Sequence, residues 1–135
     1  MKALLIGSQG QVGTEIIGIF GPGLVAVDLP EVDVAVPATI EPAVAVHRPD
    51  VVINTAAYHN VPDCEKNPDL AFRVNALGVR NVAAVCRAAG CALVHFGTDY
   101  VFDGRKGAPY DENDAPRPVN AYGVSKLAGE FFARL

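Results

Sequence analysis

Short apolar runs alternate along this chain with segments of helical periodicity, and that alternation leaves few folds open. Ala3 to Ile6, Leu24 to Val27, Asp50 to Asn54 and Cys91 to Phe96 are brief and poor in charge. Runs of this kind read as strands buried on both faces. Between them, Gln11 to Phe20 places Val12, Ile16, Ile17, Ile19 and Phe20 at helical spacing, and Gly21-Pro22-Gly23 ends the pattern. Pro37 to Val46 is a weaker helix with Ile40, Ala43 and Val44 inward. Asn67-Pro68-Asp69 opens a longer helix with a capping side chain, a first-turn proline and an acid at the positive dipole end. It is expected to run to about Ala89, with Gly90 as its stop. A last helix follows Asn120, with Val124, Leu127, Phe131 and Leu135 along one side. Residues 29–36 read as an irregular loop with room for a short strand, and 103–119, rich in Gly, Pro and acids, as a long surface loop. Strands alternating with helices predict an α/β fold: a doubly wound parallel sheet of about five strands with helices on both faces.

The helix from Pro68 carries Arg73, Arg80 and Arg87 at intervals of seven, so they lie near one line on its surface. Most of its other residues are Ala, Val, Leu, Phe, Cys, Gly or Asn. A helix apolar around most of its circumference is buried on more than one side. One side should meet the sheet and the other a second subunit, unless the short alanine side chains merely face water. A homo-oligomer through helices 68–89 and 120–135 is the resulting expectation.

Composition narrows the function classes. With 135 residues, 50% hydrophobic and 19% charged, the chain is long enough for one domain and too apolar to be disordered. A net charge of −4 argues against binding nucleic acid through bulk positive charge. No apolar run approaches the ~20 residues of a membrane span, and MKALLIGSQG reads as a first strand and turn rather than a secretory leader. Cys64, Cys86 and Cys91 form no C-x-x-C pair and read as buried small residues in a reducing, cytoplasmic setting. His47, His59 and His95 lack metal-ligand spacing, so no metal site is expected.

The chemistry-bearing residues begin at Gly7-Ser-Gln-Gly10-Gln-Val-Gly13, between the first strand and the first helix. Glycines there let the backbone approach a pyrophosphate and leave helix N–H groups to meet its charge. The fold expected is therefore Rossmann-like. Asp28 ends the second strand about twenty residues on, where an acid accepts hydrogen bonds from the adenosine ribose. A carboxylate there repels a 2′-phosphate, which leans the cofactor to NAD over NADP. Tyr122-Gly-Val-Ser-Lys126 places a phenol and an ammonium one turn apart on a helix. A nearby cation stabilises a phenolate, which suits Tyr122 to proton exchange with a carbonyl or alcohol oxygen. Thr98 adds a hydroxyl at a strand's C-terminal end, where open α/β sheets bind ligands.

The glycine turn, Ile53-Asn-Thr-Ala-Ala-Tyr-His-Asn-Val61, Val74-Asn75-Ala, Gly97-Thr-Asp-Tyr-Val-Phe-Asp-Gly104 and Tyr122-x-x-x-Lys126 follow one another in order. Together they resemble the extended short-chain dehydrogenase/reductases and, within them, the dTDP-4-dehydrorhamnose reductase family of dTDP-rhamnose biosynthesis. The resemblance covers almost the whole chain but only the N-terminal part of the family pattern. It implies NAD(P)H-dependent reduction of the C4 ketone of a nucleotide-linked 4-keto-6-deoxysugar. In that reading Tyr122 donates the proton, Lys126 holds the nicotinamide ribose and Thr98 hydrogen-bonds the carbonyl oxygen. Gly7, Gly10, Gln11, Val12 and Gly13 meet the pyrophosphate, and Asp28, Asp33 and Val34 the adenosine side. Ala57, Tyr58 and His59 line the cofactor cleft, Phe96 lies under the nicotinamide, and Val61 and Asp99 border the sugar nucleotide.

Two positions depart from the family pattern: Gly97 stands where Ser is common, and Pro62 follows Val61 where another residue is usual. The pattern also continues into further strands and a small sugar-gripping lobe, so the chain is expected to be the cofactor-binding part, with little turnover alone. Two other readings stay open. One is a catalytically silent nucleotide-binding or regulatory module, which has no need to keep Thr98, Tyr122 and Lys126 together. The other is an epimerase or dehydratase of the same superfamily. It is the weaker, since such dehydratases place an acid pair after the threonine and this chain has Asp99-Tyr100.

Overall fold

The computed structural model describes all 135 residues. Four strands form one parallel sheet: β1 (Ala3–Ile6), β2 (Leu24–Val27), β3 (Val51–Asn54) and β4 (Ala92–His95), in the order β2-β1-β3-β4. Ala3 pairs in register with Leu24 on one side and Val51 on the other, and Val51 with Ala92. All four strands thus end on the same edge. Chain order reverses across β1 and β3, which opens a crevice at their C-terminal ends.

Successive residues of β1 face opposite layers. Leu4 and Ile6 join Val27 and Val52 against Ile40 and Val44 of α2 (Pro37–His47) and Val82 and Cys86 of α5 (Val79–Ala89). Ala3, Leu5 and Ile53 face Ile16 and Phe20 of α1 (Gln11–Phe20). The α1 layer is thin: Val12, Ile17 and Ile19 of the helical stripe are exposed. Helices cover both faces as expected, with α6 (Ala121–Arg134) packed outside α5.

The sheet has four strands rather than about five. The segment 29–36 forms no strand. Val32 and Val34 are instead buried in the larger core as loop residues, and the Asn81 side chain holds the Val34 carbonyl. The long helix from Pro68 is also modified. It runs as α4 (Pro68–Phe72), a π-helical stretch over Arg73–Gly78, and α5. The wider turn rotates α5 relative to α4, and such bulges mark places where packing outweighs ideal hydrogen bonding. Here the stretch carries Asn75, Ala76 and Gly78, all buried. Arg73, Arg80 and Arg87 all remain exposed. A short helix not expected from sequence, α3 (Val61–Lys66), is opened by Asn60, whose side chain accepts the Asp63 N–H. Asn67 and Asn120 cap α4 and α6 in the same way. Of the apolar stripe on α6, Leu127 is half-buried. Val124, Phe131 and Leu135 are exposed, and the buried positions are Gly123, Ser125, Lys126 and Gly129. The cysteines are free, with Cys64 and Cys86 buried. No helix is long and apolar enough to cross a membrane.

Candidate functional site

Every strand delivers a chemistry-bearing segment to one edge of the sheet. The glycine turn follows β1, Asp28 follows β2, Thr55 to Tyr58 follow β3, and Phe96 to Asp99 follow β4.

The turn is shaped by contacts that only glycine permits. Gly7 has φ +89°, and a Cβ there would lie 2.6 Å from the Ala56 nitrogen. The Thr55 hydroxyl sits 2.9 Å from both the Ile6 and Gly7 carbonyl oxygens, tying the turn to the end of β3. A Cβ on Gly13 would collide with the Gly7 carbonyl, so the first turn of α1 lies directly on the loop. Gly10 is the N-cap of α1 in extended geometry and supplies no side-chain cap. The backbone therefore forms a close-packed cradle whose first helical amides have no side chain laid across them. A depression of about 470 Å³ lined by Gln11, Val12, Thr14 and Glu15 opens beside it. Free backbone amides at a helix N-terminus favour an anion.

Asp28 binds back to the same turn. One carboxylate oxygen accepts the Gln9 N–H at 2.7 Å and the other the Leu29 N–H at 2.7 Å. Each oxygen keeps a further lone pair for a ribose hydroxyl. Asp33 accepts the Ala35 N–H on one carboxylate oxygen, and its own N–H goes to Thr39. The Val34 side chain is in the core, so only its backbone is left to face a ligand.

On the β3 side, Asn54 is fully buried and accepts the Ala56 N–H at 3.1 Å. Asn75 reaches across from the π-helical stretch. It accepts the Tyr58 N–H at 2.8 Å and donates to the Tyr58 carbonyl at 2.9 Å. The same amide donates to Ser125 Oγ at 3.0 Å, and Ser125 donates to the Tyr122 carbonyl at 2.9 Å. One buried asparagine thus ties the Ala57–Tyr58 segment to the helix that bears Tyr122 and Lys126. His59 lies just beyond and is exposed, and half-buried Val61 begins α3.

On the β4 side, Lys126 is 4% exposed and donates from Nζ to the Phe96 carbonyl at 2.6 Å. Burial pushes its pKa below the usual lysine range, and the Glu130 charge opposes that shift. The same burial, with the Lys126 charge, pushes His95 down to about 4, so its ring is neutral at physiological pH. The Phe96 side chain stays 41% exposed at the edge. Thr98 caps the 3-10 turn Asp99–Val101, its Oγ1 accepting the Tyr100 N–H at 3.3 Å and donating to Asp99 Oδ1 at 3.3 Å. The Tyr100 ring meets Tyr122 edge-on at 5.5 Å.

Tyr122, Lys126, Thr98 and Phe96 therefore gather on one side of the edge, with the glycine turn and Asp28 on the other. Sequence reasoning assigned no role to Asn54, Asn75, Ser125 and Glu130. The readable signal for the asparagines was polarity where the pattern demands burial, at a strand end and in mid-helix.

Known proteins share this fold. The dTDP-4-dehydrorhamnose reductase of Burkholderia thailandensis is 44% identical over 133 residues, covering 96% of this chain and 44% of that protein. The crystal structure of dTDP-4-dehydrorhamnose reductase from Bacillus anthracis in complex with NADP superimposes with a TM-score of 0.95 at 37% identity, over 99% of this chain and 50% of that one. A UDP-glucose 4-epimerase from Thermus thermophilus in complex with NAD gives a TM-score of 0.88 at 28% identity, over 98% of this chain and 49% of that one. The chain thus spans about half the length of the relatives it matches. The RmlD substrate binding domain model matches residues 1–134, and the chain belongs to that family.

Proposed function

We propose that residues 1–135 are the dinucleotide-binding unit of an NAD(P)H-dependent reductase acting on the C4 ketone of a nucleotide-linked 4-keto-6-deoxysugar. The observation that carries this reading is the convergence of a glycine cradle with Tyr122, Lys126 and Thr98 on one edge of a parallel sheet. The reductase names of the relatives supply the substrate class.

A bound nicotinamide supplies the hydride. This chain's residues do the rest. The amides of Gln11 and Val12 hold the pyrophosphate, and Gly10 lets it approach the backbone. Asp28 accepts from the adenosine ribose and repels a 2′-phosphate, which favours NADH. Ala57, Tyr58 and His59 wall the cleft, with Tyr58 held rigid by Asn75. Thr98 orients the substrate carbonyl. Tyr122 gives its phenolic proton to the developing alkoxide, and the Lys126 ammonium stabilises the phenolate left behind. Asp99 and Val61 border the sugar. Association of two copies through α6 and the helices over 68–89 belongs to the same reading.

Titration calorimetry of NADH and NADPH into the folded chain tests it. Saturable binding of both is expected, with NADH the tighter, and Asp28→Ala should narrow the gap. A chain with intact circular dichroism that binds neither would overturn the cofactor reading.

A further inference from the structure

Lys126 is the one charged side chain buried in this chain. Its ammonium has no carboxylate within ion-pair distance and rests on a single carbonyl, that of Phe96. A buried ammonium so placed tends to lose its proton. One turn further along α6, Glu130 points to the same place. Its Oε1 would lie 2.5 Å from a Cβ built on Gly97, with its carboxyl carbon at 3.2 Å. The two side chains therefore reach consecutive residues at the end of β4, the cation on the Phe96 carbonyl and the anion in the space where position 97 has no side chain. Gly97 is not in a left-handed conformation, so its backbone does not demand glycine. Among its neighbours, the closest obstacle to a Cβ is the Glu130 carboxylate itself.

Other groups around the lysine do not supply this charge. His95 on β4 is neutral at physiological pH, and Tyr122 precedes Lys126 by one turn on the same helix. From α3, the Glu65 carboxylate accepts the Ala121 N–H at the start of α6. From the 3-10 turn, Asp99 takes the Thr98 hydroxyl. Asp69, Arg73 and Arg80, on the helical stretches packed against α6, are exposed.

We propose that Glu130, seated against side-chain-free Gly97 one turn from Lys126, is the positioning residue whose negative charge keeps the ammonium intact on the Phe96 carbonyl. Its consequence for nucleotide binding rests on the cofactor reading above, but the charge state of Lys126 does not.

The test is an NMR titration of the lysine side-chain resonances in this chain, with Lys126 assigned by substitution. In Glu130→Gln, Lys126 should deprotonate at lower pH than in the unmodified protein, while Lys2 and Lys66 stay put. Gly97→Ala should shift Lys126 the same way by displacing the carboxylate, and the double variant should go no further than Glu130→Gln alone. A Lys126 titration unmoved by Glu130→Gln would overturn the proposal. So would an added shift when Gly97→Ala is combined with Glu130→Gln. Alkaline loss of NADH binding should move down in step with the lysine. Failure of every variant and the unmodified chain to bind dinucleotide would strike the cofactor reading, while the lysine titration still decides this one.

Discussion

At the residue scale, the site is organised by a few buried polar groups that leave almost nothing unpaired. Asn75 is 1% exposed and satisfies both backbone groups of Tyr58 and the Ser125 hydroxyl at once. Asn75→Ala strands these partners in a dry interior, at a cost of about 2–4 kcal/mol in stability by urea unfolding. Asn75→Asp puts a second acceptor against the Tyr58 carbonyl and a charge in the dry interior, so it should be at least as destabilising as alanine. His95 is the exception: its Nε2 is buried with no partner, and Asn54 reaches only Nδ1, at 3.4 Å. Its folded pKa near 4 lies below the ordinary value of 6.5. The unfolded chain therefore takes up a proton as pH falls through 6.5, while the folded chain resists until about 4. This contribution to stability is complete above that window and lost as pH drops through it, on the order of 3 kcal/mol. The pH dependence of urea unfolding should be shallower between these limits in His95→Gln. An equal slope in both proteins would contradict the assignment.

At the element scale, α6 is docked by glycines. A Cβ on Gly129 would collide with the Asn75 carbonyl, and one on Gly123 with the Tyr100 carbonyl. Glycine in mid-helix usually costs about 1 kcal/mol against alanine. Here close approach to the π-helical stretch reverses the sign. Gly129→Ala should lower the thermal midpoint, whereas an alanine at Gly18 of α1, where a Cβ meets nothing within 4 Å, should raise it. The pair separates packing from propensity in one experiment. The loop after Val101 is held more firmly than its Gly- and Pro-rich composition implies. Phe102 stacks on Tyr110 at 4.2 Å, Tyr110 donates to Asp103, and Lys106 pairs with Asp111 and Asp114.

At the scale of the whole molecule, the two faces are unequal. One carries the larger core under α2 and α5, and the other has only α1 over Ala3, Leu5 and Ile53. Val94 on β4, and Val124, Phe131 and Leu135 on and just after α6, leave apolar surface facing water, with Phe131 55% exposed. Surface of this kind drives association. Sedimentation at rising concentration should show a dimer, and Phe131→Glu should shift it to monomer without changing the circular dichroism. A monomer at all concentrations would remove the oligomer from the proposed function.

Much of this architecture is legible in the amino-acid order. Local sequence determined the alternation of strands and helices, the glycine turn, the caps at Asn67 and Asn120 and the edge on which Thr98, Tyr122 and Lys126 stand, because these follow from short-range sterics and periodicity. Tertiary structure alone decided the rest. Whether 29–36 made a strand depended on Val32 and Val34 finding the core. Whether the helix from Pro68 stayed regular depended on Asn75 reaching Tyr58 and Ser125, residues 17 and 50 positions away. Which side of α6 faced inward depended on where backbones could approach closely, so its glycines and Lys126 are buried while its apolar stripe is not. Contacts between residues far apart in the chain leave no periodicity to read. That is also why Glu130 and Gly97, 33 residues apart, show as neighbours only once the chain is folded.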